Sequence, residues 1–366
     1  MGDSNPAKGL LLAVLPWPEE EVRDSLKQIE KEFPELEPQY FFEKHAEKES
    51  ERGKFEVPDD LTARAVVLAT LSWLPKTPEQ APNLKLIQCF SAGTNHLAAH
   101  PIYQTTNIPL TTVSGIHGPQ IAEWVIMMDL IHSHKYLDFY EAQQRCEWSQ
   151  ARGMKIRDKV GKTVGVLGYG SIGRQVARLA HALSSTVIAY TASPRDTPES
   201  RRDNGFIVPG TGDADGSIPK KWFSGLEKEK LHEFLSEGMD LLVISVPLTK
   251  ATTHLLSTPE FQTLHASNPH GTYIANISRG KILDQDALIS ALENNLIAGA
   301  ALDVTDPEPL PKEHPLWRTK GVAITPHVSG LTDVYAQRGM MVLAENLRRW
   351  REGRELVNEV DRRRGY

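Results

Sequence analysis

The sequence predicts an α/β protein of two domains, each built on a parallel sheet. Three observations carry this. The length, 366 residues, is more than double the roughly 150 residues of an ordinary domain. Short β-rich apolar runs alternate with helical stretches along the whole chain, the pattern of parallel strands joined by helical crossovers. Midway along, a glycine-rich turn stands between a strand and a helix.

In order, the first strand is expected at 10–15. Residues 19–33 follow with Val22, Leu26, Ile29 and Phe33 at helical spacing. Further strands are expected at 39–42, 65–70, 84–89 and 110–113, and then a long helix over 119–145. A second series of strands is expected at 163–167, 186–190, 240–246, 272–277, 298–303 and 322–325, enough for a full dinucleotide-binding sheet. One intervening helix is punctuated by Asp284 as N-cap and Asn294-Asn295 as its stop. Residues 196–230, rich in Gly, Pro, Asp and Lys, read as a long, mobile surface insertion. The last helix, 333–352, stops at Gly353, which suits a left-handed position. Its basic end (Arg348, Arg349, Arg351) and the tail (Arg362, Arg363, Arg364) read as a solvated face and a frayed terminus.

Composition excludes several classes. A net charge of −6 supplies no global attraction for nucleic acid or anionic membrane. No apolar run approaches the ~18 residues of a membrane span. Cys89 and Cys146 match neither a zinc spacing nor a disulfide framework, and a reducing compartment is expected. The start, Met1 to Pro6, has no basic region and apolar core of a signal peptide, and Pro6 stands where a myristoylation signal needs Ser or Thr. The end, Arg364-Gly365-Tyr366, is no peroxisomal tripeptide. The expected address is the cytoplasm. His96 and His100 lie four apart with no HExxH motif, so no metal is expected. Asn276-Ile277-Ser278 matches a glycosylation sequon but falls at a strand end, where burial rules it out.

The turn reads Gly168-Tyr169-Gly170-Ser171-Ile172-Gly173 after strand 163–167, and a helix follows from Arg174. In G-x-G-x-x-G, the first glycine permits the turn, the second admits a pyrophosphate and the third lets helix and strand pack closely. The helix N-terminus then offers N–H groups to phosphate. An NAD-selective site has Asp or Glu at the tip of the next strand. Here the tip reads Thr191-Ala192-Ser193-Pro194-Arg195, with donors for a 2′-phosphate at Thr191, Ser193 and Arg195. NADP(H) is the expected cofactor, with NAD(H) as the alternative should Asp196 turn inward.

Four further segments line up: Ser245-Val246-Pro247-Leu248-Thr249, Asn276-Ile277-Ser278-Arg279-Gly280, Asp303-Val304-Thr305-Asp306-Pro307-Glu308-Pro309, and Thr325-Pro326-His327-Val328-Ser329-Gly330. Reducing a 2-oxo acid needs a cation for the carboxylate, an acid for the carbonyl oxygen and a hydride donor. Arg279 supplies the first. His327 supplies the second, with Glu308 holding its other nitrogen.

With the glycine-rich turn, this ordered set resembles the D-isomer-specific 2-hydroxyacid dehydrogenases, especially their glyoxylate/hydroxypyruvate reductase-like members. The resemblance runs from about Leu84 to Val360. It implies two Rossmann/flavodoxin-like domains, a substrate domain (1–116, completed by 333–366) interrupted by a cofactor domain (117–332). It assigns the catalytic roles to Arg279, Glu308 and His327. It places Val246, Pro247, Thr253 and Ile277 along the cofactor, Asp303 on the nicotinamide amide and Arg174 at phosphate. It implies a substrate-carboxylate loop at Phe90-Ser91-Ala92-Gly93-Thr94-Asn95, where the N–H groups of Gly93 and Thr94 grip the carboxylate beside Ala92. The family often has Val-Asp where this chain has Thr94-Asn95, so no side-chain role carries over there. Trp73 is expected either to cap the substrate or to pack in the core. A homodimer formed through residues 119–148 is also implied.

The expected activity is interconversion of a small 2-oxo acid and its D-2-hydroxy acid. Two rivals share the fold. A formate-dehydrogenase-like enzyme would have Gln at the Glu308 position, and phosphoglycerate dehydrogenases commonly carry an additional regulatory domain. A nucleotide-sensing corepressor can retain the whole triad, and turnover separates it from an enzyme.

Overall fold

The structure, a computed structural model, describes residues 8–43, 56–94, 96–148 and 150–362. The expectations placed on residues 1–6, Asn95 and residues 363–366 lie outside the described residues. The chain forms two compact units. One comprises the described residues up to Ile116, the short stretch Asn204–Phe206 and everything from Thr332. The other comprises His117–Asp203 and Ile207–Leu331.

The first unit runs β1 (Gly9–Leu15), α1 (Glu19–Glu32), β2 (Leu36–Phe42), α2 (Asp59–Arg64), β3 (Ala65–Thr70), β4 (Leu86–Cys89), α3 (Pro101–Thr105) and β5 (Leu110–Thr111). Its five strands are all parallel in the order β2-β1-β3-β4-β5, a flavodoxin-like sheet. Both faces are covered, which is why β1 reads as an unbroken apolar run. Leu11, Ala13 and Leu15 pack against Val22, Leu26 and Ile29 of α1, with Met340, Leu343 and Leu347 of the C-terminal helix. Leu10, Leu12 and Val14 face Leu61, Ile102 and Tyr103.

The second unit opens with α4 (Gly118–Ser133) and α5 (Tyr136–Gln144). The single helix expected over 119–145 is broken at Lys135, whose φ of 54° is left-handed. The chain continues with β6 (Thr163–Leu167), α6 (Ser171–Ala182), β7 (Thr186–Thr191), α7 (Pro198–Arg201), β8 (Lys221–Ser224), α8 (Lys228–Leu235) and β9 (Leu241–Ile244). There follow α9 (Thr258–Ser267), β10 (Tyr273–Asn276), α10 (Gln285–Glu293), β11 (Gly299–Leu302) and β12 (Val322–Ile324). The seven strands are parallel in the order β12-β11-β10-β9-β6-β7-β8, so the direction of winding reverses between β6 and β9. In open α/β sheets ligands bind outside the carboxyl ends of the strands at such a switch point. Alternate residues again feed two cores. Leu242 and Ile244 meet Phe234, Phe261 and Leu288, while Leu241 and Val243 meet Val125, Val176 and Ala177.

Two further sequence expectations are corrected. Residues 196–230 are not an unstructured insertion, because they contain α7 and the edge strand β8, paired in register with β7. The basic end of the last helix, α11 (Tyr335–Arg351), is not merely solvated. Arg348 grips Glu32 at the end of α1 with two hydrogen bonds of 2.5 and 2.9 Å, and the Arg351 guanidinium lies 4.6 Å from the centre of the Phe33 ring. Gly353 does take the left-handed conformation, with φ of 66°, and Asp284 does cap α10 by accepting from the Ala287 N–H.

Candidate active site

Because the seven strands are parallel, the loops after β6, β9, β10, β11 and β12 leave one edge of the second unit's sheet. The glycine-rich turn follows β6. Gly168 has φ of 100°, and a Cβ there would lie 2.8 Å from the Ser245 backbone. At Gly170 a Cβ would meet nothing within 4 Å, so the space in front of the turn is open. At Gly173 it would lie 2.3 Å from the Gly168 carbonyl oxygen, so helix and turn touch backbone to backbone. No side chain caps α6, leaving the N–H groups of Ser171 and Ile172 directed at that opening. The cradle fits a pyrophosphate.

The side chains around it are a different matter. Tyr169 is buried and its hydroxyl donates to Asp213 Oδ2 at 2.7 Å; burial and Asp213 hold its phenol far above the ordinary range. Arg174, expected at phosphate, is 3% exposed and donates to the carbonyls of Asp213 and Arg201, both at 2.6 Å. That expectation is corrected: its guanidinium faces the protein. At the tip of β7 the Thr191 hydroxyl donates to the Ser193 carbonyl at 2.7 Å, so Thr191 does not present its proton outward. Ser193 is exposed, and half-buried Arg195 donates to the Ser200 carbonyl. Asp196 is exposed.

The catalytic candidates leave β10, β11 and β12. The Asn276 side chain at the end of β10 is fully buried. It accepts from the Ser278 N–H at 3.1 Å and donates to the Arg279 carbonyl at 3.1 Å, shaping the turn that carries Arg279. Arg279 itself is exposed, with Nη1 donating to the Ser278 carbonyl at 2.7 Å. At Gly280 a Cβ would lie 2.0 Å from the Thr305 carbonyl carbon. The Arg279 turn and the loop carrying Glu308 are therefore packed backbone on backbone. Gln285 steadies that loop from α10, accepting from the Asp306 N–H at 3.1 Å and donating to its carbonyl.

His327 and Glu308 meet. The imidazole Nδ1 lies 2.6 Å from Glu308 Oε1, both side chains partly exposed. His327 has φ of 54°, held by its N–H on the Asp303 carbonyl at 2.8 Å. Asp303, expected on the nicotinamide amide, is 2% exposed and already takes four donors. Oδ1 accepts from the Thr325 hydroxyl (2.5 Å) and Val328 N–H (2.9 Å), and Oδ2 accepts from the Ser329 N–H (3.0 Å) and hydroxyl (2.5 Å). A carboxylate has about four acceptor directions, and these four donors tie Asp303 to the His327 loop.

Along the β9 loop, Val246 is half-buried and accepts from the Ser278 hydroxyl, Pro247 is exposed, and the Thr253 hydroxyl donates to the Thr249 carbonyl at 2.9 Å. Ile277 is buried in the core. In the first unit, Ala92 and Gly93 are exposed after β4, while Thr94 is buried. Trp73 is 6% exposed and packs in the core beside Leu74 and Leu97. His96 contacts the Leu71 carbonyl at 2.9 Å, and His100 accepts from the Ile102 N–H. Among the described residues no group of three or more His, Cys, Asp or Glu is placed to hold a metal, and no helix is long and apolar enough to cross a membrane. The supporting hydrogen bonds of Asn276, Gln285, Ser329 and Asp213 escaped the sequence reading, since single polar residues at element ends and in loops carry no periodic signal.

The family model for the NAD binding domain of D-isomer specific 2-hydroxyacid dehydrogenases matches residues 126–207 and 214–329. A glyoxylate reductase of Thermofilum pendens is 29% identical over 275 residues, 74% of this chain and 72% of that protein. Glyoxylate/hydroxypyruvate reductase A of Klebsiella pneumoniae is 28% identical over 302 residues, 81% of this chain and 86% of that protein. A D-isomer specific 2-hydroxyacid dehydrogenase from Xanthobacter autotrophicus, solved with NADPH and MES, is 26% identical and superposes with a TM-score of 0.71, covering 98% of this chain and all of that one.

Proposed function

The chain belongs to the D-isomer specific 2-hydroxyacid dehydrogenase family, and from that membership we propose that it reduces small 2-oxo acids of the glyoxylate and hydroxypyruvate class to 2-hydroxy acids, with NADP(H) as preferred cofactor. The observation that carries the reading is the 2.6 Å bond between His327 and Glu308, at the same sheet edge as an uncapped glycine-rich turn. The names of the reductase relatives support the substrate class.

The cofactor pyrophosphate is held by the N–H groups of Gly170, Ser171 and Ile172, and the 2′-phosphate by Ser193 and Arg195. When bound, the reduced nicotinamide supplies the hydride. Arg279 pairs with the substrate carboxylate and carbonyl oxygens, drawing electrons from C2. Ionised Glu308 only accepts hydrogen bonds, so His327 Nδ1 is the donor between them. That fixes the ring and leaves Nε2 to deliver a proton to the carbonyl oxygen. The reverse reaction returns the proton to the same nitrogen. The same reading makes the first unit the substrate domain and the second unit the cofactor domain. It also places the protein in the cytoplasm, where Cys89 and Cys146 remain thiols.

A homodimer is part of the reading. Tyr136, Leu137 and Tyr140 of α5 are about half exposed, and Trp148 beyond it is 93% exposed. An apolar face of that kind calls for a partner, and a second copy of the chain is the proposed occupant.

The test is a spectrophotometric panel of glyoxylate, hydroxypyruvate and aromatic 2-oxo acids with NADPH and NADH. Turnover of at least one small oxo acid with higher kcat/KM for NADPH is expected. Preference for NADH would remove the cofactor assignment, and no turnover with any acid would remove the activity.

A further inference from the structure

Tyr169 occupies the variable position between the first two glycines of the turn, where the motif itself asks for nothing. Its ring nevertheless points inward, edge-on to Trp222 with centroids 4.9 Å apart, and the Arg174 guanidinium carbon lies 5.1 Å from its centre. Its hydroxyl ends on a buried carboxylate, Asp213. Asp213 is also held by its own loop, accepting from the Ser217 N–H at 3.1 Å, the Ser217 hydroxyl at 3.4 Å and the Ile218 N–H at 3.2 Å. Helix α6 holds the same segment from its other side. Arg174 binds the Asp213 and Arg201 carbonyls and lies 3.6 Å from Asp203, Gln175 accepts from the Gly212 N–H at 2.6 Å, and Arg178 donates to the Gly212 carbonyl at 3.2 Å.

We propose that the segment 207–218 is a clasp on the cofactor turn: by anchoring the Tyr169 hydroxyl, Asp213 holds the Gly168–Gly173 backbone in its phosphate-receiving shape. The physical reason is that the N–H groups facing the open space at Gly170 must be aimed before the ligand arrives, and Tyr169 stands between two glycines, where backbone freedom is greatest. A charged hydrogen bond to the side chain between Gly168 and Gly170 removes this freedom. Tyr169 and Asp213 are thus positioning residues, reaching phosphate only through the turn. The proposal rests on the dinucleotide-binding role assigned above.

The experiment uses the full chain with Tyr169→Phe, which keeps the ring and removes the hydroxyl. Amide hydrogen exchange in the cofactor-free protein is read over residues 168–173, and NADPH dissociation constants are read by fluorescence titration. Faster exchange confined to the turn, a dissociation constant raised about five- to tenfold, an unchanged kcat at saturating NADPH and a melting temperature near wild type are expected. Wild-type exchange and affinity in the variant overturn the proposal, whatever the melting temperature does. Should Tyr169→Phe fold poorly, Asp213→Asn is judged by the same two readings. Faster turn exchange in a protein whose wild type binds neither NADPH nor NADH overturns the cofactor role of the clasp and the functional reading together. Unchanged exchange beside normal wild-type binding overturns the clasp alone.

Discussion

Arg279 and Gly280 illustrate how adjacent residues carry separate duties. Arg279 is exposed and shaped for bidentate pairing with a carboxylate, a planar fork that Lys cannot reproduce. Arg279→Lys is expected to raise KM for the oxo acid and lower kcat while leaving NADPH affinity near wild type, as steady-state kinetics and cofactor titration will check. Gly280 has no chemistry and is equally constrained, since any Cβ would collide with the Thr305 carbonyl carbon. Gly280→Ala must push the Arg279 turn away from the Glu308 loop. A stability loss of about 1–3 kcal/mol, typical of overpacking, should accompany a fall in kcat/KM, and melting curves read beside rates will show both. At this scale the sequence disclosed residue types and their order but not their directions. His327 and Glu308 lie 19 positions apart and do meet. Arg174 and Asp303, as plausible on paper, are taken up by backbone carbonyls and by the Ser329 loop. Which way a side chain turns depends on partners such as Asp213 that no local pattern marks.

Elements were the most legible level where burial was two-sided. Strands 163–167 and 65–70 coincide with β6 and β3 because their apolar runs are covered on both faces. Reading failed where packing is one-sided or local. Strand β8, four residues at a sheet edge opened by Lys220-Lys221, was lost inside a stretch rich in turn formers. The break at Lys135 carries no Gly or Pro to announce it. The basic end of α11 looked like solvated charge, yet it clamps α1. The Arg348 guanidinium beside Glu32 holds that carboxyl below the usual carboxylate range. A group whose folded pKa is depressed contributes stability above its unfolded pKa and loses it as pH falls through the folded value. Glu32→Gln is therefore expected to lower the melting temperature near pH 7, and the gap from wild type should close as pH falls below about 4. Both side chains are about one-third exposed, so the effect should stay within about 1 kcal/mol.

For the molecule as a whole, the alternation of strands and helices was enough to predict parallel sheets, and the common direction of the seven strands explains why the motif-bearing loops share one sheet edge. The assembly proposed through α5 predicts a mass near twice that of the chain in analytical ultracentrifugation, and replacing Tyr136 and Leu137 by Asp should shift it to monomer. The central claim is that His327, oriented by Glu308, is the acid in an NADPH-dependent reduction. Its most direct test is NADPH oxidation at saturating oxo acid by wild type and by His327→Ala. A kcat lowered by about 10²- to 10⁴-fold with cofactor affinity retained is the predicted result. Near-normal turnover in the variant would contradict it.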